Sequence, residues 1–155
     1  MTASASPRAA RCGEILLVED SIKDARLIQE VLLEQGGQHH LKVVRDGREA
    51  LQLLRGEVPH VGPVRPDLVL LDVNLPSLSG IEVLSCIKCD PALKALPVLM
   101  LSTSRADRDV ADCYARHANG YLVKPTSYDE FARLIELTLQ YWLNHSQLPP
   151  KPEPA

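Results

Sequence analysis

Four short apolar runs each end in a reactive polar group, and this pattern restricts the fold more than anything else in the chain. Ile15-Leu16-Leu17-Val18 leads into Glu19-Asp20, and Leu68-Val69-Leu70-Leu71 into Asp72. Val98-Leu99-Met100-Leu101 leads into Ser102, and Tyr121-Leu122-Val123 into Lys124-Pro125. Runs that are apolar at every position suit strands buried on both faces, as in a parallel sheet covered by helices. The carboxyl ends of such strands share one edge, where open α/β sheets bind their ligands. Three carboxylates, a hydroxyl and an ammonium are therefore expected to converge. Such a group can hold a divalent cation and present one carboxylate to a phosphoryl group.

The segments between the runs read as helices. Ser21 is placed to cap a helix with Ala25, Ile28, Val31 and Leu32 on one face, which stops at Gly36-Gly37. Asp46-Gly47-Arg48-Glu49 and Ser127-Tyr128-Asp129-Glu130 have the spacing of capping boxes. A third helix spans about Gly80 to Cys89, and Ser104 is expected to cap a fourth. The last helix continues to about Asn144. A strand near Leu41–Val44 brings the total to five strands alternating with five helices. Right-handed crossovers then favour a doubly wound α/β sheet of order 2-1-3-4-5, a flavodoxin-like arrangement. Residues 1–13 are expected to be a disordered leader, 14–144 one domain and 145–155 a loose Pro-rich tail.

Composition narrows the function. Aromatics are 4% of the 155 residues, so the core must be aliphatic. A net charge of −3 with no strongly basic segment argues against nucleic acid as partner. The apolar runs are too short to span a bilayer, and Met1–Arg11 lacks the apolar centre of a signal peptide, so no membrane role and a cytoplasmic location are expected. Cys12, Cys86, Cys89 and Cys113 are expected to be free thiols. Cys86-x-x-Cys89 falls inside a helix without a second ligand pair, so core filling is the better reading. His39, His40, His60, His117 and His145 share no common spacing and are expected to be solvated.

Each candidate residue also has a plainer explanation. Glu19 and Asp20 repel one another, which a divalent cation would relieve; alternatively one caps the first helix and the other is solvated. Asp72 is a lone carboxylate after a fully apolar strand, or a loop aspartate bonding its own turn. Lys124 is a compact positive charge at a strand end, or a surface lysine before a helix. The bond to Pro125 permits a cis geometry that would aim the lysine over the sheet edge. Ser102-Thr103-Ser104 offers hydroxyls to the site or to helix capping.

Taken together, these residues resemble a response-regulator receiver domain, the phosphoacceptor half of a two-component system. The resemblance rests on Ile15–Ser21, on Leu70-Leu71-Asp72-Val73-Asn74-Leu75-Pro76 with the later Gly80, on Leu101-Ser102, and on Gly120–Pro125. It implies that Asp72 accepts a phosphoryl group from a phosphohistidine on a sensor histidine kinase. Asp20, Asp72 and the backbone carbonyl of Asn74 would bind Mg²⁺, with Glu19 acting mostly through water. Lys124 would contact the phosphate, Ser102 would be the switch hydroxyl, and Tyr121 the aromatic that follows it inward. The signal would emerge on the surface of the fourth helix, fifth strand and fifth helix. Thr103 stands where many members carry Ala or Gly, and its branched side chain should narrow access to Asp72.

The pattern Leu101–Arg105, the long loop before the third strand and the ending Leu139–Leu143 are similar to stand-alone receivers that partner phytochrome-type kinases. No output domain is expected after the last helix. Tyr141, Trp142 and Leu143 are expected to present an apolar cluster for a homodimer. Two other functions compete: a phosphatase with an aspartyl nucleophile, and a degenerate receiver used only for binding. The phosphatase would need a second Asp where Asn74 stands, and the intact set of Asp20, Asp72, Ser102 and Lys124 speaks against degeneracy.

Overall fold

The parallel sheet inferred from the apolar runs runs through the centre of the molecule in the order β2-β1-β3-β4-β5. The structure, a computed structural model, describes residues 12–36, 39–59 and 61–151. The strands are β1 (Glu14–Val18), β2 (His40–Val44), β3 (Leu68–Asp72), β4 (Val98–Ser102) and β5 (Gly120–Val123). The helices are α1 (Ile22–Glu34), α2 (Gly47–Arg55), α3 (Gly80–Cys89), α4 (Asp107–Ala115) and α5 (Tyr128–Leu139). Every strand pair is parallel, with β1 registered between β2 and β3 so that Val18 faces Val44 on one side and Leu71 on the other.

Successive strand residues point to opposite faces, and the core divides accordingly. Leu16, Val18, Val69, Leu71, Val98 and Met100 meet α2, α3 and Cys113 of α4. Ile15, Leu17, Leu68, Leu70, Leu99 and Leu101 meet Leu27, Ile28 and Val31 of α1 and Phe131, Ile135 and Leu139 of α5. Burying each of these aliphatic side chains is worth roughly 1.5–3 kcal/mol against leaving it exposed. The sheet edge that carries the polar strand ends is thus held rigidly from both faces.

Helix starts depart from expectation in an instructive way. Asp46 and Ser127 do cap α2 and α5, accepting from the Arg48 and Glu130 amides, but neither forms the reciprocal half of a capping box. The full box lies at α3, where Ser79 and Glu82 exchange bonds. The residue at the cap position of α4 is Ala106 and not Ser104.

The C-terminal stretch is not loose. Past α5 the chain makes a π-helical turn, Gln140–His145, and both Leu143 and Leu148 are buried against the α1–α5 core. Lys151 Nζ then donates to Glu14 Oε2 at 3.0 Å. The helical turn has ended before Pro149 and Pro150 are reached, and the two leucines that precede them find apolar surface. Of the expected leader 1–13, residues 1–11 lie outside the described residues, as do Gly37, Gln38, His60 and the end 152–155; Gly13 is buried, its carbonyl accepting from the His40 amide at 2.8 Å. No helix among the described residues is long and apolar enough to cross a membrane.

Candidate functional site

Four strand ends and one helix start build the polar edge. Asp72 and Ser102 are the last residues of β3 and β4, and Glu19 follows β1 directly. The sheet ladder extends one step beyond the strands. The Glu19 amide donates to the Val44 carbonyl at 3.0 Å and the Lys124 amide to the Ser102 carbonyl at 2.7 Å. Their side chains therefore leave the sheet in fixed directions. Gly80 is required just above: a Cβ there would lie 2.0 Å from the Asp72 carbonyl oxygen, so α3 can start against the acid only without a side chain.

Asp72 is buried and its two carboxylate oxygens have separate partners. Oδ1 accepts from the Asn74 amide at 2.7 Å, and Oδ2 accepts from Lys124 Nζ. The ammonium also donates to Glu19 Oε2 at 2.8 Å and to Asp24 Oδ2 at 3.0 Å. Burial, together with the neighbouring Asp72 carboxylate, pushes the Glu19 carboxyl up to about 7, against the pull of Lys124. Burial alone would lower the lysine, but its bonds to Asp72 and Glu19 outweigh that and hold it firmly protonated. One cation thus serves three carboxylates, of which Glu19 and Asp72 are shielded from water and Asp24 is partly open to it.

That surplus of negative charge, carried by oxygen donors alone, fits a hard divalent cation such as Mg²⁺, which takes few protein carboxylates and keeps several waters. Among the described residues no three Asp, Glu, His or Cys side chains are gathered closely enough to enclose a metal. Glu19 and Asp72 are brought together. Asp20 is exposed, and its carbonyl accepts from Arg45 Nη2 at 3.5 Å.

A second network links Ser102 to Tyr121. Ser102 is buried and its hydroxyl accepts from the Ser104 amide at 3.1 Å. The Tyr121 hydroxyl donates to the Ser104 carbonyl at 2.9 Å. Ser104 does not cap α4; its hydroxyl instead donates to Asp109 Oδ2 at 2.5 Å and accepts from the Ala106 amide at 3.2 Å. Thr103 between them in sequence is exposed.

The Lys124–Pro125 bond, for which the sequence left both geometries open, is trans, and the lysine reaches Asp72 from there. Other expectations are corrected. Of the proposed dimer cluster, only Tyr141 is well exposed. Trp142 is half-buried, stacked edge-on against Tyr141 at 5.5 Å, and Leu143 is buried in its own core because the π-helical turn rotates it inward. His39 is only partly solvated: its Nδ1 accepts from the Gly13 amide at 3.0 Å, and burial lowers its pKa. The cysteines are free thiols; Cys113 fills core, while Cys12 and Cys89 are exposed. The residue that sequence reading missed is Asp24, noticed only as part of a helix start.

Comparison with known proteins agrees with this edge. A family model described as the response regulator receiver domain matches residues 15–136. The response regulator Rcp1 of Synechocystis is 42% identical over 87% of this chain and 92% of its own length. The crystal structure of its Mn²⁺-bound form superposes with a TM-score of 0.83 at 41% identity, covering 89% of this chain and 99% of that one. The phosphorylated cyanobacterial phytochrome response regulator RcpA superposes with a TM-score of 0.86 at 42% identity, covering 90% and 99%. A protein named Probable methanogenesis regulatory protein FilR2, from Methanothrix harundinacea, is also 42% identical, over 87% of this chain and 86% of its length. With that match spanning both core faces and all five strands, the chain belongs to the response-regulator receiver family.

Proposed function

We propose that Asp72 is the phosphoacceptor of this receiver and that Lys124, Ser102 and Tyr121 read out its state. The observation that carries this is the setting of Asp72: buried at the end of β3, one oxygen on the Asn74 amide, the other on Lys124, with Glu19 alongside. A carboxylate oxygen attacks the phosphorus of a phosphohistidine. The O–P bond forms as the P–N bond breaks, and the imidazole leaves with the electron pair and takes up a proton. Such a transfer needs positioning and charge stabilisation more than covalent help. Lys124 meets the charge of the arriving oxygens as a compact point charge. Asp20, Asp72 and the Asn74 carbonyl would hold Mg²⁺, with Glu19 acting through water. When bound, the ion neutralises charge on the phosphoryl oxygens.

Ser102 gives the site its switch. When its hydroxyl turns to the new phosphoryl group, the Ser104 amide loses its acceptor and the loop holding the Tyr121 hydroxyl is freed. The surface of α4, β5 and α5 then changes shape, a local charge event with a distant readout. The chain's own chemistry on this reading is limited to accepting the group and losing it to water.

The proposed partner is a phytochrome-type histidine kinase, supported by the likeness to RcpA. The proposal includes a cytoplasmic location, because a kinase charged by ATP works where ATP is. It also includes a homodimer through the C-terminal helical region, with Tyr141 and Trp142 as its apolar contact. Leu143 supports that surface from within. The test mixes the protein, Mg²⁺ and autophosphorylated kinases of phytochrome and other types. Stable label on wild type and none on Asp72→Asn is the expected result. Turnover of small phosphoesters would favour a phosphatase, and no label at all a binding module. For the dimer, Tyr141→Arg should lower the sedimentation coefficient; an unchanged value sinks that part.

A further inference from the structure

The Lys124 ammonium has three N–H donors, and all three are engaged: with Glu19, with Asp24 and with Asp72. A lysine that must bind a phosphoryl oxygen has to give one of these up. We propose that Asp24 is the positioning residue of this site, the partner that holds Lys124 at rest and releases it to the arriving phosphoryl group. This rests on the phosphoacceptor reading of Asp72 given above.

Two observations single out Asp24 from the other carboxylates. The first is exposure. The Asp24 side chain is 22% exposed, against 2% for Glu19 and 6% for Asp72, so water can take over its hydrogen bonds when the lysine leaves. Stripping either of the others of its cation would leave a buried charge unpaired, at far greater cost. The second is that Asp24 is spared its ordinary duty. It sits at the third position of α1, where an acid commonly reaches back to the amide of the capping residue. Here the Ser21 amide is already taken by Glu19 Oε1 at 3.0 Å, while the Asp24 amide goes to Ser21 Oγ at 3.2 Å. The Asp24 carboxylate is left to turn across to β5 and meet Lys124.

The consequence is a brake. An anionic donor approaching the site meets three carboxylates and a lysine without a spare donor. Asn at position 24 keeps the size, removes the charge and weakens the bond to the ammonium, since charge-assisted bonds are about twice as strong as neutral ones. The expected result is faster phosphorylation.

The experiment uses phosphoramidate as a small donor with MgCl₂, so that no kinase surface is involved, and follows label on Asp72 by intact mass. Asp24→Asn should label roughly three- to tenfold faster than wild type, the size of one partly exposed charge at this range. The acceleration should vanish in a Lys124→Met background, because the effect acts through the lysine. Asp24→Glu, which keeps charge and reach, should return the rate towards wild type. That variant decides the matter if Lys124→Met fails to fold. Unchanged or slower labelling of Asp24→Asn would overturn the inference, and so would equal acceleration in both lysine backgrounds, which would mean bulk charge alone. Absence of label from wild-type protein would overturn the phosphoacceptor reading itself, and this inference with it.

Discussion

Strand β3 has an aspartate at each end, both buried, both beside a lysine, and their surroundings differ in kind. Asp67, just before the strand, closes the sheet: its amide donates to the Glu14 carbonyl at 2.7 Å and its carboxylate accepts from the Glu14 amide at 2.9 Å. Its lysine, Lys151, stands 3.7 Å away and is 40% exposed. Asp72, at the other end, shares a lysine only 9% exposed with two further carboxylates. Burial is common to both. What separates them is charge balance: the Asp67 charge is met by a backbone amide and a solvated cation, whereas the Asp72 group keeps an excess that an added cation, or a proton on Glu19, would relieve. A buried aspartate is thus a structural stitch or a reactive group according to what remains unpaired around it.

The largest effects should fall on the Asp72 end. Asp72→Asn should abolish labelling while the protein still melts cooperatively; residual label at wild-type level would break the comparison. Gly80→Ala should cost about 3 kcal/mol or more, at the upper end of overpacking, because the new Cβ meets the Asp72 backbone and not a movable side chain. Gly62→Ala, where nothing lies within 4 Å, should stay within about 0.5 kcal/mol in the same urea titration. At the opposite end, Asp67→Ala should cost roughly 1–3 kcal/mol by leaving the Glu14 amide without its acceptor, yet label at the wild-type rate. A loss of labelling there would mean that the two ends are not independent.

The strand ends were legible because Leu68–Leu71 and its counterparts are apolar at every position, which leaves no choice of face and marks where polarity resumes. Order and direction of the sheet followed from alternation with helices. Asp24 was not legible, since an acid at the third helical position is ordinary and its partner lies 100 residues away. Its role becomes visible only when Glu19 is seen to occupy the Ser21 amide. Three segments share the capping-box spacing, those beginning at Asp46, Ser79 and Ser127, but only Ser79 completes it. At Asp46 the carboxylate is also engaged by the Ser77 hydroxyl, a contact from 31 residues away. The tail was misjudged because four prolines outweighed Leu148 in a composition reading, while that buried leucine and the Lys151 ammonium together dock the segment.

A smaller effect is expected at position 103. Thr103 is exposed beside Ser102, and Thr103→Ala should admit small donors more readily, raising the labelling rate by a few-fold, about 1 kcal/mol or less in barrier. Equal rates with phosphoramidate would remove Thr103 as a gate and leave Asp24 as the sole brake argued for this edge.

The smallest effect tests the Asp67 end through pH. His39 accepts from the Gly13 amide with its unprotonated Nδ1, and burial lowers its pKa below 6.5, against the opposing pull of Asp67. The fold favours the neutral ring. Its contribution is present above the unfolded value and is lost as pH falls through the folded one, when Nδ1 gains a proton and can no longer accept. Glu19 works in the opposite sense. Its pKa is raised from 4.5 to about 7, so its contribution is full below 4.5 and lost as pH rises through about 7. Acid therefore relieves one end of the sheet while straining the other, and a pH profile of wild type alone would mix the two. The difference between wild type and His39→Gln cancels the Glu19 part. Urea titrations at about pH 7.5 and about pH 5 should show wild type losing more stability than the variant, by well under 1 kcal/mol because the ring is partly solvated. Equal losses would show that the Gly13 bond does not depend on a neutral ring.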